Sequence, residues 1–138
     1  GSESNFNSMT ASWGSMGVMW GRNVFTATVR PSRHTFKFME ENEKFSVSFF
    51  DECNRNDLNF CGSHSGRDCD KIAETNLTPT SIDGIQTFEE ATMVLVCKKI
   101  YRTVVNDENF IDNSLFDHYR TDTFHVAFIG EILKAYIK

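Results

Sequence analysis

Long alternating segments constrain the fold of this chain more than any other feature of its sequence. Four of them, at 24–30, 44–51, 91–105 and 124–137, alternate β-branched or aromatic residues with polar ones. Such alternation is typical of β-strands, because successive side chains point to opposite faces and these residue types pack well on a sheet. No regular exchange of strands with long helices accompanies them. The pattern therefore predicts a mainly β protein, a small barrel with a few short helices.

Weaker signals lie between these strands. Residues 6–13 predict a strand that Gly14 and Gly17 interrupt, with 18–20 resuming it. Turns are expected at 21–23 and at Asp83-Gly84. Gly130 is expected at a bend or bulge inside the last strand.

Short helices are expected in three places. Ser32 is a fair N-cap for a helix over 34–42, whose acidic end predicts early fraying. Two more helices are expected at 54–60 and 67–75, with Asn76 in the left-handed region at the end of the second. Residues 107–119 predict a loop with room for one helical turn.

Size and composition fit a single domain over residues 1–138. The hydrophobic share is 40% and 13 residues are Phe, which is enough for a core. A formal net charge of -5 argues against general nucleic-acid binding, which needs a basic face. No apolar run reaches the roughly 18 residues of a membrane span, and no signal-peptide pattern opens the chain. We expect a cytoplasmic protein with neither nucleic acid nor membrane as a partner.

The cysteines do not indicate a metal site. Cys53, Cys61, Cys69 and Cys97 form no C-x-x-C pair, and the histidines are not at zinc-binding spacing. Reduced thiols are the preferred interpretation. A disulfide between two of them, or a reactive role for which Cys61 is best placed, stays open.

The segment NSMTASWG, at 7–14, is the first that could carry a ligand. On a strand, Ser8, Thr10 and Ser12 would share one face. A row of small hydroxyls would let a flat polar ligand lie close to the backbone. An amphipathic strand with a solvated hydroxyl face explains the same pattern.

The segment VRPSRHT, at 29–35, gathers cations in a chain of negative net charge. Arg30 and Arg33 flank Pro31-Ser32, and Thr35 follows at a predicted helix start. Arginine and helix N–H groups both suit phosphate. A capped helix with two surface arginines is the alternative.

The segment CGSHSGRDCDK, at 61–71, resembles an anion or cofactor loop. Gly62 and Gly66 permit close approach of the backbone, and Ser63 and Ser65 supply hydroxyls. It matches neither a Walker motif nor a dinucleotide fingerprint. A polar connecting loop is the alternative. No nucleophile and base pair is legible in the sequence, so no catalytic residue is predicted.

Together these segments are more specific than any one alone. The chain has N-S-M-T-A-S-W-G, V-R-P-S-R-H-T, F-S-V-S-F-F, C-G-S-H-S-G-R-D-C-D-K-I-A-E-T and a closing F-H-V-A-F-I-G-E-I, in this order. In order and spacing it resembles the flavin reductase-like family of FMN-binding split barrels, in its flavoredoxin-like branch. The resemblance covers essentially the whole chain.

The resemblance implies a split β-barrel of Greek-key type, an FMN cofactor and a homodimer. It also implies that NAD(P)H or a redox protein donates electrons. The phosphate end would comprise Arg30, Ser32, Arg33 and Thr35, with Lys71 as a helper. The isoalloxazine would lie along Met9, Thr10, Ala11, Ser12 and Trp13, and also face Ser63, Ser65, Gly66 and Arg67.

Departures from the family pattern concern the start of the chain and two single positions. Family members usually have about one further strand and a short helix before F-N-S-M-T, so an N-terminal strand is expected to be missing or truncated. Asn76 and Cys69 replace a frequent glycine and a frequent aliphatic residue. Three functions follow as hypotheses: a flavin reductase-type oxidoreductase, a flavoredoxin-type electron carrier without its own NAD(P)H turnover, and a split barrel that binds no cofactor.

Overall fold

The computed structural model describes residues 1–138 and confirms a mainly β protein. Its elements are strands β1 (Gly14–Met19), β2 (Arg22–Val29), β3 (Lys44–Phe49), β4 (Pro79–Ile82), β5 (Ile85–Phe88), β6 (Met93–Val104) and β7 (Val126–Ile137), helices α1 (Thr35–Glu41) and α2 (Arg55–Ser63), and 3₁₀ turns at Glu52–Asn54, Asp107–Asn109 and Asn113–Tyr119. The four long predicted strands are present as β2, β3, β6 and β7. The 3₁₀ turns at 107–109 and 113–119 supply the helical turn expected in that loop.

Five strands form the main antiparallel sheet, in the order β1-β2-β7-β6-β3. β4 and β5 form a separate hairpin beside β3. Two side-chain hydrogen bonds join that hairpin to β3: Ser46 Oγ donates to the Gln86 carbonyl at 2.6 Å, and Ser48 Oγ lies 2.8 Å from Thr87 Oγ1. The hairpin thus extends the wall of the barrel without joining its backbone ladder.

The core lies between the inward faces of β2, β3, β6 and β7, with Met39 of α1 closing one side. Its buried members are Ala27, Val29, Met39, Phe45, Leu95, Cys97, Val126 and Phe128. They come from alternate positions of each strand, as the sequence pattern requires. Full burial of each large apolar side chain contributes about 1.5–3 kcal/mol.

The pairing of β6 with β7 is irregular near Gly130, but the extra residue beside it is Ile100 of β6, and the extra residue of the last strand itself is Leu133 rather than Gly130. The register shifts between Val96 and Cys97 and again between Lys99 and Tyr101. Gly130 pairs with Lys99 at the second shift. Such irregularities bend a strand and increase its twist, which lets the sheet curl around its core.

The start of the chain differs from the prediction. Residues 6–13 belong to no strand or helix, and Gly14 and Gly17 lie inside β1 rather than interrupting a strand. The expected turn at 21–23 is instead the two-residue turn Trp20-Gly21, with φ of 52° and 68°. The Asp83-Gly84 turn, with φ of 52° and 74°, is confirmed. Positive φ at both positions belongs to the type I′ turns that join twisted strands.

Two helix predictions are wrong. Ser32 is not an N-cap, because α1 begins at Thr35 and the Ser32 hydroxyl binds Asp122 instead. Residues 67–75 form turns rather than a helix. There the Asp70 carboxylate accepts hydrogen bonds from the backbone N–H groups of Ile72 and Ala73, an Asx-type contact that competes with helix formation.

Asn76 is also not in the left-handed region. Its backbone N–H and its side-chain amide both donate to Asp57 Oδ1, at 3.0 Å and 3.2 Å. The two bonds hold it in ordinary backbone geometry. Elsewhere, all four cysteines are free thiols, and no three His, Cys, Asp or Glu residues group as metal ligands would. None of the helices has the length and hydropathy that crossing a membrane requires.

Candidate functional site

A cleft of about 500 Å³ opens at the end of the barrel where β2 stops. Its walls are the segment 7–13, the turn 30–35, the C-terminal half of α2 and the loop 64–67. The volume falls in the range of roughly 300–1,000 Å³ that is usual for cofactor and ligand sites. Of its 22 lining residues only four are hydrophobic and none is Asp or Glu. The cleft therefore offers polar and cationic groups and no carboxylate.

Three of the hydrogen bonds that hold the segment 7–13 across the cleft run to α1, α2 and β2. Asn7 Nδ2 donates to Thr35 Oγ1 at 2.7 Å, Thr10 Oγ1 donates to the Leu58 carbonyl at 2.5 Å, and Thr28 Oγ1 donates to the Trp13 carbonyl at 2.7 Å. Each bond connects the segment to a different element. Because the segment belongs to no strand, these side chains and a backbone hydrogen bond from the Thr28 N–H to the Trp13 carbonyl, at 3.3 Å, hold it in place.

The turn after β2 is tied to a distant part of the chain. Arg30 Nη2 donates to the His118 carbonyl at 2.7 Å, and its Nη1 lies 3.2 Å from Asp122 Oδ2. Ser32 Oγ donates to the same Asp122 oxygen at 3.1 Å. The guanidinium of Arg30 also stacks over the Tyr119 ring, 5.3 Å from its centre. These contacts fasten the 113–123 segment to one rim of the cleft.

Arg33 and Arg67 are much freer. The Arg33 side chain makes no hydrogen bond or ion pair with the protein, and Arg67 Nη1 donates only to the Ser32 carbonyl, at 3.0 Å. Both side chains line the cleft. Because α1 has only seven residues, its dipole adds little here, and the positive potential comes from side chains.

Lys71 is the one buried cation of the cleft, with 6% of its surface exposed. Its ammonium donates to the carbonyls of Ser8 and Cys61, at 2.8 Å and 2.7 Å. One carbonyl belongs to each wall, so Lys71 connects segment 7–13 to α2. Burial lowers the pKa of Lys71, because no carboxylate compensates its charge.

The loop after α2 approaches the cleft closely. A Cβ at Gly66 would overlap the Asn7 side-chain amide, so a larger residue there would displace Asn7 from Thr35. Ser65 Oγ accepts a hydrogen bond from the Arg67 N–H at 3.2 Å. The Ser63 hydroxyl is turned back on α2, where it donates to the Asn59 carbonyl at 2.8 Å. Of the two serines, Ser65 therefore has more of its hydroxyl available to the cleft.

An aromatic cluster borders the same cleft. The Trp13 ring lies 4.4 Å from the ring of His125, tilted by 33°, and meets His118 edge-on at 5.2 Å. His125 Nδ1 is 3.0 Å from the Tyr119 hydroxyl. Burial and the nearby Arg30 lower the pKa of His125, so its imidazole is neutral near pH 7.

The structure brings together almost all residues that the sequence predicted for the site. The cleft is lined by Met9, Thr10, Ser12, Trp13, Arg30, Ser32, Arg33, Thr35, Ser63, Ser65, Gly66, Arg67 and Lys71. Ala11 is the exception: it is exposed and lies outside the lining. The strand predicted over 6–13, on which Ala11 would alternate with its neighbours, does not form. The binding roles of the lining residues remain predictions.

The other lining residues are not among the predicted ligand contacts, although Gly62 is expected to permit close approach of the backbone. They are Asn7, Thr28, His34, Leu58, Asn59, Cys61, Gly62, His64 and His125. Most lie inside the three segments, and Thr28 shares a strand face with Arg30, so the period of two could have found it. Leu58, Asn59 and His125 carried no such signal. Burial raises the pKa of the Cys61 thiol, which disfavours the reactive thiolate that was left open for it.

Comparisons with known proteins agree with this geometry. The sequence profile of the flavin reductase like domain matches residues 1–138. No curated protein gave a significant match.

Several solved structures share the fold. One is an FMN-binding protein from Thermus thermophilus with bound p-hydroxybenzaldehyde, at 22% identity and a TM-score of 0.72, matching 96% of this chain and 64% of that one. A flavoredoxin from Methanosarcina acetivorans has 23% identity and a TM-score of 0.70, over 96% of this chain and 61% of that one. A split barrel domain protein from Shewanella frigidimarina has 15% identity and a TM-score of 0.74, over 96% and 60%. The chain thus has the split-barrel fold, and it spans less than two thirds of each of these proteins.

Proposed function

The chain belongs to the flavin reductase-like family, and from this premise we propose that it is an FMN-dependent oxidoreductase. In this proposal the cleft holds FMN, which takes electrons from NAD(P)H or a redox partner and delivers them to an acceptor. The observation that carries it is a cleft with four cationic side chains, Arg30, Arg33, Arg67 and Lys71, and no carboxylate among its lining residues.

The residues present fit a flat polar ring that carries a chain ending in a phosphate. Lys71 supports this most directly, because its buried ammonium lines the cleft and has only two carbonyl partners. An ammonium carries three N–H donors, so one is left for a ligand. The basic turn at 30–35 would hold the phosphate, and the segment 9–13 with the loop 63–67 would border the ring.

FMN, when bound, supplies the redox chemistry by accepting and releasing two electrons. The protein would bind and orient it, which requires no protein nucleophile. Lys71 would stabilise the negative charge of the phosphate, because a buried cation acts strongly where water is excluded. Trp13, supported by His118 and His125, would exclude water from one side of the cleft.

We also propose a homodimer, in which a second copy covers β1. This strand is an edge of the main sheet, and its six residues include no charge and no proline. Met16, Val18 and Trp20 are 64%, 69% and 59% exposed on or next to it. Exposed apolar edges invite pairing with another chain.

Absorption spectroscopy tests the cofactor. We expect purified protein to retain the visible bands of flavin after FMN is added and free FMN is removed by desalting. Arg33→Ala should weaken FMN by about 1.5–3 kcal/mol, the contribution of a charge-assisted hydrogen bond. Arg22→Ala is the matched control, since Arg22 lies at the opposite end of β2 and pairs with Glu131. A folded protein that retains no FMN would favour the hypothesis of a barrel without cofactor.

The electron donor separates the oxidoreductase from a second candidate. Similarity to a flavoredoxin favours an electron carrier with the same cofactor and no NAD(P)H turnover of its own. Steady-state oxidation of NADH or NADPH with free flavin as acceptor distinguishes them. Rapid turnover supports the reductase, and flavin binding without turnover supports the carrier.

A further inference from the structure

The two arginines of the R-P-S-R turn have different surroundings. Arg30 is engaged on three sides by the His118 carbonyl, the Asp122 carboxylate and the Tyr119 ring. Only 15% of its side chain is exposed. Arg33, three residues later, has no such partners. A ligand that approaches the turn therefore meets one neutralised and one free guanidinium.

Asp122 is the group that makes this difference. Its Oδ2 lies 3.2 Å from Arg30 Nη1 and accepts the Ser32 hydroxyl at 3.1 Å. Its Oδ1 accepts the backbone N–H of Thr123 at 2.7 Å. The hydrogen bond from Thr123, with those from Ser32 and the charge of Arg30, lowers the pKa of Asp122, so the carboxylate is ionised near neutral pH.

The remaining cations of the cleft form a separate set. Arg33, Arg67 and Lys71 have no carboxylate partner, since the ion pairs of the chain involve other residues. Arg33 lies close enough to lower the pKa of Lys71 by charge repulsion, although burial is the larger cause. Three uncompensated cations that converge on one cavity fit a phosphate dianion.

We propose that Asp122 is a specificity-determining residue that neutralises Arg30 and Ser32, so that the phosphate group of the ligand is bound by Arg33, Arg67 and Lys71. This inference rests on the proposed function and refines its anion site. It reassigns Arg30 and Ser32 from phosphate ligands to positioning residues that hold the 113–123 segment, and it moves Arg67 from the border of the ring to the phosphate. A phosphate bound to Arg30 would also lie near the Asp122 carboxylate, and the two negative charges would repel each other.

Comparison of FMN with riboflavin tests the assignment, because the two differ only in the phosphate. The measured quantity is the ratio of the dissociation constants of riboflavin and FMN, for the wild type and each variant. Asp122→Asn keeps the side-chain shape and frees the charge of Arg30, so the ratio should rise about tenfold. Arg33→Ala should lower it by about tenfold or more. A residue with only a structural role would change both affinities together and leave the ratio constant.

Ser32→Ala and the double variant Arg30→Met with Asp122→Asn, which removes both charges of the pair, provide independent arms if Asp122→Asn proves unstable. Both should leave the ratio within about twofold of the wild type, even if the two affinities fall together. The inference is overturned if Asp122→Asn leaves the ratio unchanged or lowers it, or if the double variant lowers it as much as Arg33→Ala does.

Failure of the proposed function gives a different result. If the folded wild type binds neither FMN nor riboflavin, the cofactor proposal fails, and inorganic phosphate then serves as the probe. Tighter phosphate binding by Asp122→Asn and weaker binding by Arg33→Ala would still support the anion site. The opposite order, or equal binding by all variants, would overturn it.

Discussion

Two regions of the molecule concentrate basic side chains, and they differ in whether an acidic side chain lies beside these cations. In the cleft, Arg33, Arg67 and Lys71 have no acidic partner. On another face, Lys99 and Arg102 of β6 lie over the Phe128 ring, 5.6 Å and 6.0 Å from its centre. There Arg102 Nε pairs with Glu40 Oε1 at 2.7 Å, and the Lys99 ammonium donates to the carbonyls of Met39 and Glu40.

The difference separates a structural use of positive charge from a ligand-binding use. The Lys99 region joins β6 to the C-terminal end of α1, where unpaired carbonyls and an acidic side chain favour a cation. There Glu40 pairs with Arg102, and its charge also acts to raise the pKa of Lys99 against the larger effect of burial. The cleft leaves its charges unbalanced at a cost in stability, which is characteristic of functional sites.

The largest effect is expected when Lys71 of the cleft and Lys99 of β6 are each replaced by methionine, because the two variants should lose different properties. Lys71→Met removes the buried cation of the cleft and should weaken FMN by about 1.5–3 kcal/mol. Lys99→Met should leave FMN affinity unchanged and lower the free energy of unfolding by about 1–3 kcal/mol, because the Met39 and Glu40 carbonyls lose their donor. Flavin titration and urea denaturation of both variants measure the two quantities. Equal losses of FMN affinity would show that the two regions are not distinct.

A carboxylate placed in the cleft would make it resemble the Lys99 region. Ser65→Asp retains an acceptor for the Arg67 N–H and adds a negative charge among the cations. We expect FMN affinity to fall by about 1–2 kcal/mol, the repulsion of charges several ångströms apart at an effective dielectric constant of about 20. Ser65→Asn has the same shape without the charge and should bind nearly as the wild type does. If both variants lose affinity alike, shape rather than charge explains the loss.

The sequence predicted the scaffold of the cleft well and its charge balance poorly. Alternation located β2, β3, β6 and β7 because burial on one face imposes a period of two. The three motif segments do meet at one cleft. Their residues lie mostly at strand ends and in loops. The distances between the motifs along the chain are those that bring these strand ends and loops to one end of the barrel.

The sequence could not show which residues far apart in the chain form hydrogen bonds or ion pairs with each other. Nothing near Arg30 indicates that Asp122, more than ninety positions away, would neutralise it. Local propensity favours a helix at 67–75. It cannot show that the Lys71 ammonium binds the Ser8 carbonyl in the cleft, or that the Asp70 carboxylate accepts the backbone N–H of Ile72. Ser32 looked like a cap for the same reason.

The smallest expected effect is a pH dependence confined to the cleft. Burial, followed by the charges of Lys37, Arg67 and Lys71, lowers the pKa of His34 from 6.5, while Asp68 opposes the shift. Below pH 6.5 the unfolded chain therefore binds more protons at this site than the folded one, so acidification reduces stability. The Lys99 region lacks histidine and contributes nothing in this range.

Phosphate should relieve that effect, since an anion between Arg67 and Lys71 offsets their charge and raises the pKa of His34. NMR titration of the His34 imidazole, with and without inorganic phosphate, measures the change directly. His34→Gln should flatten the acid side of the stability curve relative to the wild type, in urea denaturation at about pH 7.5 and about pH 5.5. If phosphate leaves the pKa of His34 unchanged, the anion binds elsewhere. The unpaired cations of the cleft would then not form an anion site, and in this respect the cleft would not differ from the Lys99 region.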